Sequence, residues 1–170
     1  YGLQLGLTNL VVDYSRGLQW GLANYAGSLN GAQLALVNLA PFEGRGAQLG
    51  LVNVGGDMLG FQLGLVNIAT EKMAGPQIGL LNFAGNGILA PAYWGSDTAL
   101  HNLGFKMGGR HVYSILGVTA RTREGSEWVG PIFGLGGHVD FHPLWLELDV
   151  IGQQLFAEYD YKESGVDTLT

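Results

Sequence analysis

Three residues near the C-terminal end, His138, Asp140 and His142, alternate along a stretch that reads as strand. Alternate side chains on a strand share one face about 7 Å apart, and two histidines so placed can bind one zinc or copper ion. His101 or His111, on runs that could lie beside this one, would have to close the tetrahedron. The triplet runs straight into Pro143, and polar residues at a strand end need no ion. His138, Asp140 and His142 therefore remain a candidate set, and neither a metal nor a cofactor is expected. Ser96, Ser114 and Ser126 with His101, His111 and His138 supply the parts of a nucleophile and base pair. No local signature links them. Glu147 and Asp149 share a face and could act as an acid and base pair. Carboxylates matched to a cation such as Arg121 or Lys106 are the simpler account, so no catalytic residue is assigned.

The elements that must position these groups are announced by a repeat. The phrase Gly-x-Gln-x-Gly-Leu-x-Asn is written six times between residues 2 and 91. Its glutamines are Gln4, Gln19, Gln33, Gln48, Gln62 and Gln77, and its asparagines Asn9, Asn24, Asn38, Asn53, Asn67 and Asn82. The step between copies alternates 15 and 14 residues, a self-similarity that precedes any other reading. Leucines such as Leu5 and Leu7, or Leu49 and Leu51, stand two apart, with glutamine and a small residue in the other places. A period of two predicts strands, and recurring glycine pairs disfavour helix. A bulge or corner is expected at each asparagine, where the apolar parity shifts. Such amides form hydrogen-bonded ladders more readily than a ligand track. The glycines sit within strands and do not predict a phosphate cradle.

The links between copies are of two kinds. Longer, charged ones follow the odd copies (Asp13 and Arg16, Glu43 and Arg45, Glu71 and Lys72), and shorter ones follow the even copies. A repeat of two strands, about 29 residues long with unlike ends, accounts for this. In an antiparallel meander the odd links would share one side, as in a membrane-spanning barrel. In a flattened β-solenoid, glutamine and leucine would stack on themselves coil after coil.

Residues 92–170 read as four longer antiparallel strands, roughly 98–107, 111–121, 128–141 and 144–159, after a boundary or long turn over 87–96. In the last, Leu144, Leu146, Leu148 and Val150 alternate with Trp145, Glu147, Asp149 and Ile151. One apolar face and one face with two carboxylates favours a barrel, whose lumen can hydrate or pair them. Aromatics near the strand ends (Tyr93, Trp94, Tyr113, Trp128, Phe141, Trp145, Phe156, Tyr159, Tyr161) point the same way.

Composition agrees. Across 170 residues, 13% are charged and 29 are glycine, which suits a barrel better than an ordinary soluble domain. A net charge of −6 with no basic patch argues against nucleic acid. Without cysteine, neither disulfides nor thiol chemistry is expected. No run of eighteen apolar residues predicts a membrane helix. Because Tyr1 opens on the repeat and no closing strand follows before Thr170, the expectation is that native ends are missing.

The phrase GxQxGLxN over residues 2–91 resembles that of the Leptospira-type bacterial surface-repeat proteins, and the later runs resemble outer-membrane strands in general. The resemblance implies a surface or outer-membrane location and carries over no functional residue. The resulting expectation is a single all-β domain forming an antiparallel outer-membrane-type β-barrel of about ten or more strands. Its partner would be membrane lipid, and its role structural, surface-display or narrow-pore without catalysis. The alternative is a β-solenoid followed by an antiparallel sheet, a binding or adhesion module at the cell surface or in the periplasm. A lipid-acting barrel enzyme comes third.

Overall fold

The computed structural model describes residues 2–99, 101–123 and 126–157. Leu100, the Glu124-Gly125 turn and the residues from Glu158 on, including Tyr159 and Tyr161, lie outside the described residues. The repeat half is a parallel β-solenoid of about six turns, and an antiparallel sheet follows it. It is not a barrel.

The solenoid is made of β1 (Gly2–Leu5), β2 (Thr8–Trp20), β3 (Ala23–Leu34), β4 (Val37–Leu49), β5 (Val52–Leu63), β6 (Val66–Ala74), β7 (Gln77–Ile78) and β8 (Leu81–Ala84). Each strand lies parallel on its neighbour with identical repeat positions in register: Asn24 beside Asn38, Gln33 beside Gln48. The antiparallel meander, its barrel closure and its membrane-crossing strands are thereby overturned. One copy of the phrase makes one coil, so the 29-residue pair is not the structural unit either.

The extra residue of each odd link is absorbed locally. Between β2 and β3 the offset is 15 up to Val11, then 14 from Tyr14 onward, across a register shift. The same shift recurs between Ala40 and Glu43. Odd and even links therefore stack on one edge, and length alternation does not separate them to two ends. Coils spaced by the usual strand separation of about 4.8 Å give the six turns a rise of roughly 24 Å.

Two features of the phrase make the coil close. Gly17, Gly31, Gly46, Gly60 and Gly75 take φ between +123° and +150°, a backbone that side chains disfavour. They also lie directly over one another, so a Cβ on Gly46 would overlap the carbonyl of Gly31. At the other corner, backbone bonds from Gly50 to Leu63 (3.0 Å) and from Leu51 to Leu36 (2.9 Å) carry the ladder through the bend.

The lumen is polar at the phrase and apolar at the links. Gln19, Gln33, Gln48, Gln62 and Gln77, with Asn38, Asn53, Asn67 and Asn82, are fully buried. Beside them run Ala26, Ala40 and Ala69 in one column, and Leu29, Met58 and Met73 in another. Size is matched between coils: the Met58 thioether occupies the room left by Gly44 and Gly55, packing of the kind for which methionine is suited. Leucines of the phrase point outward: Leu7 is 75% exposed and Leu65 54%.

The second sheet has the order β13-β12-β11-β10-β9, all antiparallel, with β14 (Phe156–Ala157) on β12. Its strands are β9 (Ile88–Trp94), β10 (His101–Gly108), β11 (Val112–Arg123), β12 (Ser126–Phe141) and β13 (Leu144–Gln153). The stretch expected as a long turn contains β9, which pairs with β10 through Ala92 and Gly104. Pro91 is tolerated because β9 is the edge strand. Tyr113, Ile115 and Ile132 form the buried side of this sheet, while Phe133, Leu135, Leu146, Leu148 and Val150 stay exposed.

Candidate functional site

The histidine cluster sits where β12 runs out. His138 Nε2 lies 2.7 Å from Asp140 Oδ1, and Arg110 reaches Asp140 Oδ2 at 3.4 Å. The His138 ring stacks on Trp145 with centroids 5.8 Å apart, and His111 Nδ1 is 3.3 Å from the His138 carbonyl. The hydrogen bond from His138, then the nearby positive groups, hold the Asp140 carboxyl below its ordinary range. His142 lies beyond the strand end, and His101 pairs with the Tyr93 hydroxyl at 2.7 Å. His101 stands beside Ala120, at the far end of β11 from His111. No group of three or more metal-binding side chains converges among the described residues.

The serines are equally dispersed. Ser114 Oγ donates to the Gly79 carbonyl at 2.6 Å and accepts from Asn82 Nδ2 at 2.5 Å. Ser96 bonds the Ala99 backbone. The Ser126 side chain is outside the described residues. Among the described residues, no serine hydroxyl is hydrogen-bonded to a histidine.

Glu147 and Asp149 come together with Lys106 and Tyr113. Lys106 Nζ lies 2.7 Å from Asp149 Oδ2 and also bonds Glu147. The Tyr113 hydroxyl shares its one proton between Asp149, at 2.7 Å, and Glu147, and the ammonium sits 5.2 Å from the Tyr113 ring centroid. The Lys106 bond and then the Tyr113 bond lower the Glu147 pKa despite partial burial. Burial alone would lower Lys106, but bonds to Asp149 and Glu147 outweigh it and the pKa is raised. Burial first, then the two carboxylates, push the Tyr113 phenol far above its ordinary value. The lowered Glu147 and the raised Lys106 are thus held in their charged forms, the opposite of a pair tuned to exchange protons near neutrality.

Gly136 explains how β13 reaches β10 and β11 across β12. A Cβ there would overlap both the Tyr113 ring and Asp149. Tyr113 entered the sequence reading only as an aromatic near a strand end. The signal that could have found it is parity, since Tyr113 and Gly136 are register partners facing Asp149.

In the solenoid the amides form two continuous ladders. Each glutamine donates to the previous coil's glutamine at 2.7–2.8 Å. Each asparagine donates to the next coil's asparagine at 2.7–3.1 Å. The two ladders therefore run in opposite directions. The second amide proton of each glutamine goes to a backbone carbonyl six residues on, as from Gln48 to Val54 at 3.1 Å. The last asparagine is capped by Ser114 of the antiparallel sheet, whereas Gln77 Oε1 ends its ladder without a partner. A track whose amides are spent on one another has little left for a ligand.

An apolar concavity lies elsewhere, between the outward leucines of the last coils and the antiparallel sheet. It has a volume of about 1000 Å³ and is lined by Leu51, Leu65 and Leu80 on one side and Ile115, Phe133 and Leu135 on the other. Ser114 is its one polar lining side chain. The charged residues of the solenoid stand apart from it, with Glu43, Arg45, Asp57 and Lys72 clustered at the link edge. No protein-family model, curated protein or solved structure matches the chain.

Proposed function

We propose that this chain is a non-catalytic binding module of the cell surface or periplasm, in which a rigid β-solenoid presents an apolar face to an apolar partner. The observation that carries the reading is the pair of outward columns. Leu5, Trp20 and Leu63 in one, and Leu7, Leu22, Leu36, Leu51, Leu65 and Leu80 in the other, are 42–75% exposed. Parallel in-register stacking turns single leucines into continuous stripes, and the apolar side of the antiparallel sheet extends them. Contiguous apolar surface of that extent marks interaction surfaces in folded proteins. A repeat scaffold suits the role, because each coil contacts only its neighbours and its outer positions are free to face a partner. The surface location is favoured by the resemblance of the GxQxGLxN phrase to the surface-repeat proteins.

The experiment uses an anilinonaphthalenesulfonate dye on the folded protein, with near-UV circular dichroism to establish fixed packing. Strong dye fluorescence is expected, falling by more than about half in a Leu7→Gln, Leu22→Gln, Leu36→Gln variant that removes most of one stripe outside the groove. A folded protein that leaves the dye dark would overturn the reading.

A further inference from the structure

We infer that the outer edge of β13 is a strand-addition site, which takes an extended segment of a partner protein carrying a lysine or arginine on its inward face. The site lies apart from the leucine columns of the solenoid, so it stands whether or not those columns bind. Among the described residues, nothing pairs with this edge. About half of the residues in an edge strand point N–H and C=O away from their one neighbour, a template for a further strand. β13 is ten residues long, pairs with β12 in unbroken register from Gln153 to Leu144, and holds neither proline nor lysine. Such residues, bulges or sheer shortness usually blunt a natural edge. The opposite edge is blunted in that way, since β9 has seven residues and carries Pro91.

The side chains of β13 select the kind of strand that fits. Leu144, Leu146, Leu148 and Val150 are exposed on one face, and apolar residues at alternate places in an added strand would extend that face by cross-strand contact. On the other face, Glu147 and Asp149 share the single ammonium of Lys106. Two carboxylates against one cation leave a negative charge over. Both bonds to Glu147 fall on Oε1, and Oε2 has no partner among the described residues. A basic side chain on the added strand, beside Glu147, meets that oxygen and cancels the excess. A second copy of β13 does not. Antiparallel pairing of β13 with itself, faces matched, overlaps most when Glu147 stands across from Asp149 or Asp149 across from its own copy, and like charges so placed repel. A hydrocarbon ligand offers the backbone of the edge neither donor nor acceptor.

The test is fluorescence anisotropy of the whole chain with a labelled, amidated peptide, Thr-Val-Thr-Val-Lys-Val-Thr-Val-Thr. Saturable binding is expected, with hydrogen exchange slowed at residues 144–153 and unchanged at residues 88–94. The same peptide N-methylated throughout should not bind, because its backbone donates nothing. With glutamate in place of the lysine, binding should weaken about tenfold. Glu147→Gln should bring the two peptides to equal affinity, and the peptide series on the parent chain stands by itself if that variant is destabilised. Binding that survives N-methylation, or slowed exchange away from residues 144–153, overturns strand addition. Equal affinity of the parent for the lysine and glutamate peptides overturns the basic partner, and so does the absence of saturable binding. If sedimentation shows a dimer whose residues 144–153 are protected without peptide, a second copy holds the edge and the inference fails. None of these outcomes alters the dye result, which reads the leucine columns.

Discussion

At the residue scale, the decisive choice is that amides face in and leucines face out. Gln48 donates to Gln33 Oε1 at 2.8 Å and to the Val54 carbonyl at 3.1 Å, and accepts from Gln62 at 2.7 Å. Gln48→Leu would keep much of the volume but strand up to three buried polar partners. The expected loss is about 3–5 kcal/mol by denaturant unfolding, taking roughly 1–3 kcal/mol per orphaned group with partial relaxation. Leu63→Gln, on the neighbouring coil surface, should change stability by less than about 0.5 kcal/mol. An equal cost for the two would mean that the ladder contributes nothing special. The alternation was legible in the sequence, because a period of two separates glutamine from leucine whichever way the strands run. The outward leucines and inward Gln48 and Gln62 were legible too; what was not legible is how the interior amides are satisfied, because each needs a neighbour at the same height to accept its proton, and that neighbour lies 14 or 15 residues away.

At the scale of elements, the cluster of Lys106, Tyr113, Glu147 and Asp149 ties β13 across β12 to β10 and β11. The Glu147 pKa is lowered from an ordinary 4.5, so its contribution to stability is complete above about that pH and is lost as pH falls through the depressed value. Lys106 and Tyr113 are raised from 10.5 and 10.0, so their contributions are complete below about pH 10 and are lost as pH rises. Thermal unfolding midpoints should therefore decline at both extremes. Glu147→Gln should flatten the acid limb relative to the parent while lowering the plateau. An acid limb of unchanged steepness in the variant would show that other carboxylates govern it. The pairing of Glu147 and Asp149 with a cation was foreseeable from two carboxylates on one strand face, and both Lys106 and Arg121 qualified on charge. Register selects Lys106, and Gly136 clears the path. Strand β9 was hidden because Pro91 and the decay of the repeat read as a boundary, whereas an edge strand accepts a proline.

For the whole molecule, the antiparallel sheet acts as the cap of the solenoid's C-terminal end. Ser114 closes the asparagine ladder at Asn82, and Gly79 is held by the same hydroxyl. In a one-dimensional stack, loss of a cap loosens the adjacent coil first and leaves distant coils unaffected. Ser114→Ala should therefore speed hydrogen exchange at residues 77–84 by several-fold while residues 33–54 keep the parent's protection. Uniform loss across all coils would instead show that the solenoid and sheet unfold as one cooperative unit. The same junction forms the groove, because Ile115 is carried over the last leucines by the strand that bears Ser114, and Phe133 by β12 beside it.

By itself the sequence determined the all-β class, the six copies, the two-sided strands and the amide columns, since each follows from local spacing and from what glycine, glutamine and leucine tolerate. It left open whether successive copies run antiparallel or parallel, and the barrel reading chose wrongly from alternating link lengths and two carboxylates. Only the tertiary structure decided that matter. In-register stacking lets every amide meet its own kind one coil away, and a one-residue bulge absorbs the alternation that had implied two unlike ends. The groove, too, belongs to the tertiary structure alone. Its walls come from residues more than thirty positions apart, and no periodicity along the chain records that they face each other.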